Sequence, residues 1–238
     1  MVDIHIIPIL SDNYSYILIS DDVSAIVDPG DAEPIIDFCE QKNLKPSYIV
    51  NTHHHWDHTD GNKAVKDHYN CKIVAPFNEQ DKIDDIDISL KDGEIFQFGN
   101  TECLAVETKG HTQGHLCYWF EKENFLLAGD QIFAFGCGRP IEGSAKDLYE
   151  SFQKFDFLKP DSKIYCGHEY TLTNAQFVLS LFPNHSDIFS RYEQMTKLRE
   201  KGKPTIPFTW EEEQKTNPFC LAKDLEEFEL FRKKRNSF

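Results

Sequence analysis

No stretch of eighteen consecutive apolar residues occurs anywhere in this chain of 238 residues. A transmembrane helix needs about 20 such residues, so a helical membrane span is excluded and no membrane partner is expected. The opening Met1-Val2-Asp3-Ile4-His5-Ile6-Ile7 also has no basic segment before an apolar run, so no secretory signal is read there and a cytoplasmic protein is expected. Paired cysteines are missing as well. The seven cysteines are odd in number and form no CxxC, which suits buried thiols in a reducing compartment better than a disulfide framework. Cations are scarce, with 25 Lys and Arg against 40 Asp and Glu and a net charge of -15. Duplex binding draws on clustered Lys and Arg, so a nucleic-acid partner is excluded for the surface as a whole. One basic cluster breaks the pattern, Arg232-Lys233-Lys234-Arg235.

Apolar matter is plentiful: 40% of residues are hydrophobic and 13% aromatic, enough to offset the ordering entropy of a packed globule. Short strands are predicted over 2–7, 14–19, 24–27 and 47–51, and again over 94–98, 103–107, 115–120, 125–128 and 163–166. Helical spacing of Ile35, Ile36 and Cys39 predicts a helix over 32–42, and Leu148, Phe152 and Phe155 predict one over 144–158. Beyond His168 the texture becomes helical. Ala175, Val178, Leu179 and Phe182, then Ile188, Tyr192 and Met195, and finally Leu225, Phe228 and Phe231 each mark one face, with a capping box at Thr209 to Glu212. The reading is an α+β chain with a sheet-rich part over 1–170 and a helical part over 171–238. A monomer is expected.

Chemistry concentrates at four places. In His53-His54-His55-Trp56-Asp57-His58, residues two apart in an extended segment point the same way, so His53 and His55 can meet one ion while Asp57 and His58 turn toward another. His111, Asp130 and His168 each follow a predicted strand, and a glycine immediately precedes each, letting the backbone turn sharply toward a common edge. A lone histidine is more often a structural or surface residue. Imidazoles and carboxylates crowded this way without metal would repel or neutralise one another, and this favours a site for two divalent ions. His54, His68 and His185 read as surface or supporting residues, His115 as a support, and Cys166 as a buried bystander.

The run Thr52-His53-His54-His55-Trp56-Asp57-His58 resembles the signature of the metallo-β-lactamase superfamily. Ser11-Asp12-Asn13-Tyr14, Ala25 to Ala32, His111-Thr112-Gln113-Gly114-His115, Gly136-Cys137-Gly138-Arg139, Gly167-His168-Glu169-Tyr170-Thr171 and Asn217-Pro218-Phe219 are similar, more narrowly, to the glyoxalase II (hydroxyacylglutathione hydrolase) family. The resemblance implies a four-layer αββα sandwich with a small C-terminal helical domain that binds glutathione. It implies that His53, His55 and His111 hold one metal, that Asp57, His58 and His168 hold the other, and that Asp130 bridges them. Zinc is the expected metal, with iron or manganese compatible with the same donors. It further implies hydrolysis of S-D-lactoylglutathione to glutathione and D-lactate, with Asp57 orienting the attacking hydroxide or taking its proton. Arg139, Tyr170, Arg232 and Arg235 match the family's glutathione-binding positions, while Pro140-Ile141 stands where animal relatives carry aromatic residues. The alternatives on the same scaffold are a mononuclear-iron persulfide dioxygenase and a metal-dependent binding domain without catalysis.

Overall fold

The computed structural model describes residues 2–238. Its first sheet runs β1 (Asp3–Ile9), β2 (Asn13–Ser20), β3 (Val23–Val27), β4 (Tyr48–Val50), β5 (Lys72–Pro76) and β6 (Ile86–Leu90) in sequence order. The first three strands are antiparallel neighbours and the remaining pairings are parallel. Parallel pairs need crossovers, and α1 (Glu33–Gln41) supplies the one between β3 and β4. The β4 to β5 crossover carries the histidine-rich run, the short α2 (Trp56–Thr59) and α3 (Asn62–Tyr69).

The second sheet contains β7 (Ile95–Phe98), β8 (Thr101–Glu107), β9 (Leu116–Phe120) and β10 (Phe125–Gly129), an antiparallel meander. A two-residue-per-strand hairpin follows, β11 (Ile132–Phe133) and β12 (Gly136–Cys137), then α4 (Ala145–Gln153) and β13 (Lys163–Cys166), which returns parallel to β10. The last strand, β14 (Phe208–Thr209), comes from the helical part and pairs with β13, an intrusion the helical reading of that region did not anticipate. Around it lie α5 (Thr171–Leu181), α6 (Ser186–Arg199), α7 (Trp210–Thr216), α8 (Pro218–Leu221) and α9 (Leu225–Asn236). The capping box expected at Thr209 to Glu212 opens α7, and a second, Ser144 with Asp147, opens α4.

Side-chain alternation along the strands sorts the apolar residues into layers. On the first sheet, Ile17, Ile26, Ile49 and Ile73 face outward onto Ile35 and Cys39 of α1 and Val65 of α3. Tyr16, Leu18, Val27, Val50 and Val74 face inward and meet Phe98, Ala105, Tyr118 and Leu127 of the second sheet. The second sheet's other face takes α4, giving the helix–sheet–sheet–helix order expected from the sequence. The inner cluster does not stop at residue 170: Phe152 of α4 lies 5.7 Å from Phe228 of α9, and Phe219 lies 4.9 Å from the same ring.

Candidate metal centre

The two sheets meet at one edge through the start of β2. The Tyr14 amide donates to the Gly167 carbonyl (2.8 Å), the Tyr16 hydroxyl donates to the Cys166 carbonyl, and Asn13 bridges to His168. Against that seam the chain delivers His53, His55, Asp57 and His58 after β4, His111 from the β8–β9 loop, Asp130 after β10 and His168 after β13. All seven residues nominated from the sequence converge. His55 is the last extended residue, and Asp57 and His58 sit on the helical turn of α2, where the His58 ring packs 4.2 Å from that of His53.

Glycine makes two of these approaches possible. Gly129 adopts φ +47°, and a Cβ there would fall 2.5 Å from Thr52 Oγ1 and 2.6 Å from His115 Nε2. A Cβ on Gly167 would fall 2.4 Å from Asp130 Oδ1 and 2.7 Å from His58 Cε1. A side chain at Gly167 would intrude among the ligand atoms, and one at Gly129 would collide with the Thr52 and His115 supports.

The donors form overlapping groups. His55 Nδ1 lies 3.1 Å from His53 Nε2 and 2.9 Å from His111 Nε2. Asp57 Oδ2 lies 3.7 Å from His58 Nε2 and 3.4 Å from His168 Nε2. Asp130 touches both, with Oδ1 at 3.4 Å from His58 Nε2 and Oδ2 at 3.4 Å from His111 Nε2 and 3.2 Å from His168 Nε2. His58 Nε2 and Asp130 Oδ1 are buried without any hydrogen-bond partner, an arrangement that costs free energy unless something else satisfies them. Imidazole nitrogens converging on one another and orphaned acceptors between them fit divalent cations.

The far nitrogens of the rings are tied down. His53 Nδ1 meets Thr52 Oγ1 at 3.0 Å, His58 Nδ1 meets Asp28 Oδ2 at 3.1 Å, His111 Nδ1 meets the Arg139 carbonyl at 2.9 Å, and His168 Nδ1 meets Asp12 Oδ1 at 2.8 Å. Such partners fix ring orientation and leave Nε2 facing the centre. His115 supports the centre, as read from sequence: its Nε2 accepts from the Asp130 amide (3.1 Å) and its Nδ1 meets Thr108 (2.9 Å). Cys166 is a buried bystander whose thiol reaches only the His168 carbonyl.

Glu79 was not nominated. It lies in a single 3₁₀ turn, fully buried, where its carboxylate accepts from Thr112 Oγ1 and the Gly114 amide and pairs with His54 Nδ1 at 2.7 Å. It therefore ties the His53–His58 run to the His111 loop. Glu79→Ala is expected to weaken metal binding by about tenfold or more, as loss of a ligand-orienting contact does; competition with a chromogenic chelator measures this, and an unchanged affinity would remove Glu79 from the support.

Electrostatically the centre is divided. Burial, reinforced by neighbouring imidazoles, holds His53 well below the usual histidine range and lowers His55 to about 4. At His168 burial opposes the charge, but Asp130, Asp57 and Asp12 outweigh it and raise the ring to about 11. Asp57 and Asp130 are likewise pushed up by burial yet end below the carboxylate range, chiefly through His168 and His58. At pH 7 a chelator-stripped protein therefore carries His53 and His55 neutral and His168 protonated. An ion held by Asp57, His58 and His168 would require His168 to surrender that proton, so metal uptake there would release protons and tighten as pH rises from 6.5 to 8.5. A pH-indicator titration reads the release, and pH-independent uptake with none would contradict this division.

Beside the centre lies a cavity of about 290 Å³ lined by Phe133, Cys137, Arg139, Tyr170, Asn174, Arg232, Arg235 and Asn236. All four positions nominated for glutathione line it. The Tyr170 ring stacks on His168 at 4.6 Å and 6°, joining cavity to centre. Arg235 Nε and Nη2 both donate to Asn174 Oδ1 at 3.2 Å. Arg232 is only 6% exposed, and its Nη1 donates to the carbonyls of Cys137 (3.0 Å) and Gly138 (3.3 Å), so it also holds cavity-wall backbone. Ile141 points outward at 59% exposure.

Stacked sheets with a histidine and aspartate cluster at their shared edge define a divalent-metal-binding fold of the metallo-β-lactamase kind. Residues 10–168 match the metallo-beta-lactamase superfamily, and residues 169–238 match the hydroxyacylglutathione hydrolase C-terminus. The hydroxyacylglutathione hydrolase of Pelagibacter ubique is 36% identical over 239 residues, covering 100% of both chains, and that of Methylococcus capsulatus is 38% identical over 221 residues, covering 92% of this chain and 86% of the relative. Among solved structures, ETHE1 from Myxococcus xanthus superposes with a TM-score of 0.73 at 20% identity, covering 98% and 90% of the two chains. The BLEG-1 B3 metallo-beta-lactamase gives 0.65 at 26% identity, covering 70% and 91%. The chain belongs to the hydroxyacylglutathione hydrolase family of the metallo-β-lactamase superfamily.

Proposed function

We propose that the chain hydrolyses S-2-hydroxyacylglutathiones, with S-D-lactoylglutathione as the reference substrate, to glutathione and the hydroxy acid, D-lactate. In this reading His53, His55 and His111 hold one divalent ion, Asp57, His58 and His168 a second, and Asp130 lies between them, with zinc as the expected metal. Bound ions of this kind polarise a carbonyl oxygen and lower the pKa of a water to roughly 7.

The chain's own groups do the rest. Asp57 Oδ2 accepts from Asn13 Nδ2 at 2.9 Å, which fixes the carboxylate. Asp57 lies below the carboxylate range and is ionised at neutral pH, and in the metal-loaded enzyme it would orient the attacking water or take its proton. The departing glutathione thiol, with a pKa of about 8.5, leaves as thiolate without a strong acid beside it. The guanidinium groups of Arg139, Arg232 and Arg235 and the Tyr170 hydroxyl supply donors for the tripeptide's carboxylates and amides. Residues 1–170 carry the chemistry and 171–238 complete the thiol-side cavity, in a monomer of the cytoplasm.

The observation that carries this reading is the single cavity shared by Arg139, Tyr170, Arg232 and Arg235 with Tyr170 stacked on His168, because it sets an anion-binding pocket directly against the centre. The test is loss of thioester absorbance on adding S-D-lactoylglutathione to protein whose metal content has been measured. Protein with two metals per chain that leaves the thioester intact would end the reading, and one iron with oxygen uptake on glutathione persulfide would replace it with the dioxygenase.

A further inference from the structure

The cavity wall is built from the hairpin β11–β12, and that hairpin cannot hold itself. Its ladder contains only Ile132 with Cys137 and Phe133 with Gly136, far too little pairing for independent stability. Its backbone is buried, so its remaining polar groups need partners from elsewhere. The Gly138 amide closes its base by donating to the Gln131 carbonyl (3.2 Å), and the partners of the turn itself are side chains from beyond residue 170. Asn217 Nδ2 donates to the carbonyls of Phe133 (3.3 Å) and Gly136 (2.8 Å), and Asn174 Nδ2 donates to the Ala134 carbonyl (3.1 Å). Glu213 Oε2 accepts from the Phe135 amide at 3.0 Å and from Asn217 Nδ2 at 2.7 Å.

The tip makes the dependence sharper. Phe135 adopts φ +60°, a left-handed conformation that disfavours any residue with a side chain and an aromatic one especially. It is nevertheless fully buried. Its ring lies 4.1 Å beneath the Arg191 guanidinium, whose Nη2 is bound to Glu213 Oε1 at 2.5 Å, so one buried ion pair grips the ring and the amide of the same residue. The hairpin joins Asp130 at one end to Arg139 at the other, and the Arg139 carbonyl meets His111.

We propose that Glu213 and Asn217 are positioning residues for glutathione recognition: they hold the hairpin in the strained shape that brings Phe133, Cys137 and Arg139 to the cavity, without touching the substrate. This rests on the thioesterase reading and adds residues to it. Glu213→Gln removes the charge that grips the tip. Asn217→Ser keeps a hydroxyl able to cap α8, as Asn217 Oδ1 does for the Phe219 amide, but removes both donors to the hairpin. Should one fail to fold, the other carries the test.

Glutathione itself, titrated by calorimetry into the metal-loaded enzyme, is the probe. Each variant is expected to raise its Kd, and the KM for S-D-lactoylglutathione, by about tenfold, with kcat within about threefold and metal content unchanged. Folded variants with wild-type Kd and KM overturn the assignment. Wild type that neither binds glutathione nor cleaves the thioester would sink the thioesterase reading itself, which separates the two failures.

Discussion

Asp130→Asn is expected to lower kcat by about a thousandfold, roughly 4 kcal/mol of transition-state stabilisation, and to leave fewer than two metals per chain. The carboxylate lies within 3.4 Å of nitrogens from His58, His111 and His168, so in the proposed two-ion centre its two oxygens would serve both halves. An amide keeps the shape but loses the charge and turns an NH₂ group toward one set of rings. The Asp130 amide bond to His115 survives the change, so the fold should persist. Elemental analysis and steady-state kinetics on the same preparation decide the matter, and near-normal turnover with two metals retained would show that the two halves do not share this residue.

The second large effect concerns the cavity. Arg139→Ala with Arg235→Ala should raise KM by about a hundredfold while kcat moves little, because each charge-assisted hydrogen bond contributes about 1.5 kcal/mol and binds ground and transition states alike. Arg139 is exposed and Arg235 half-buried, so neither removal opens the core. Arg232→Ala is different in kind. It strips the Cys137 and Gly138 carbonyls of their donor, so a lower melting temperature should accompany its higher KM. A melt of Arg232→Ala indistinguishable from that of Arg235→Ala would show that its carbonyl bonds carry no weight.

Much of the centre could be read from the sequence because metal chemistry restricts both residue type and spacing. His53, His55, Asp57 and His58 fall in one short run, and His111, Asp130 and His168 each follow a strand through glycine, so local pattern alone nominated them. Their supports are another matter. Glu79, Asp28, Asp12 and Asn13 reach the centre by tertiary approach from separate segments, and a solitary acid in a 3₁₀ turn carries no periodicity that sets it apart. Secondary structure divided in the same way. Long amphipathic helices and alternating strands were legible, whereas Gly136–Cys137 and Phe208–Thr209, two residues each, are too short for a period and exist because a neighbouring strand is already there, and Lys72–Pro76 is buried on both faces and shows no alternation. Nothing local marks which charged residues will be folded inward as a pair, as Arg191 and Glu213 are.

The hydrophobic cluster that runs from the facing sheets through α4 to Phe219 and Phe228 means that the sheet-rich and helical parts share one reservoir of folding free energy. Heat or denaturant should then melt both in one cooperative step. A fragment ending near residue 170 would face water with Leu148, Phe152 and Phe155 and would lose the strand that edges its second sheet. The helical part thus behaves less like a tool attached to a finished enzyme than like the last course of one wall, and the cavity it borders exists only while both remain folded.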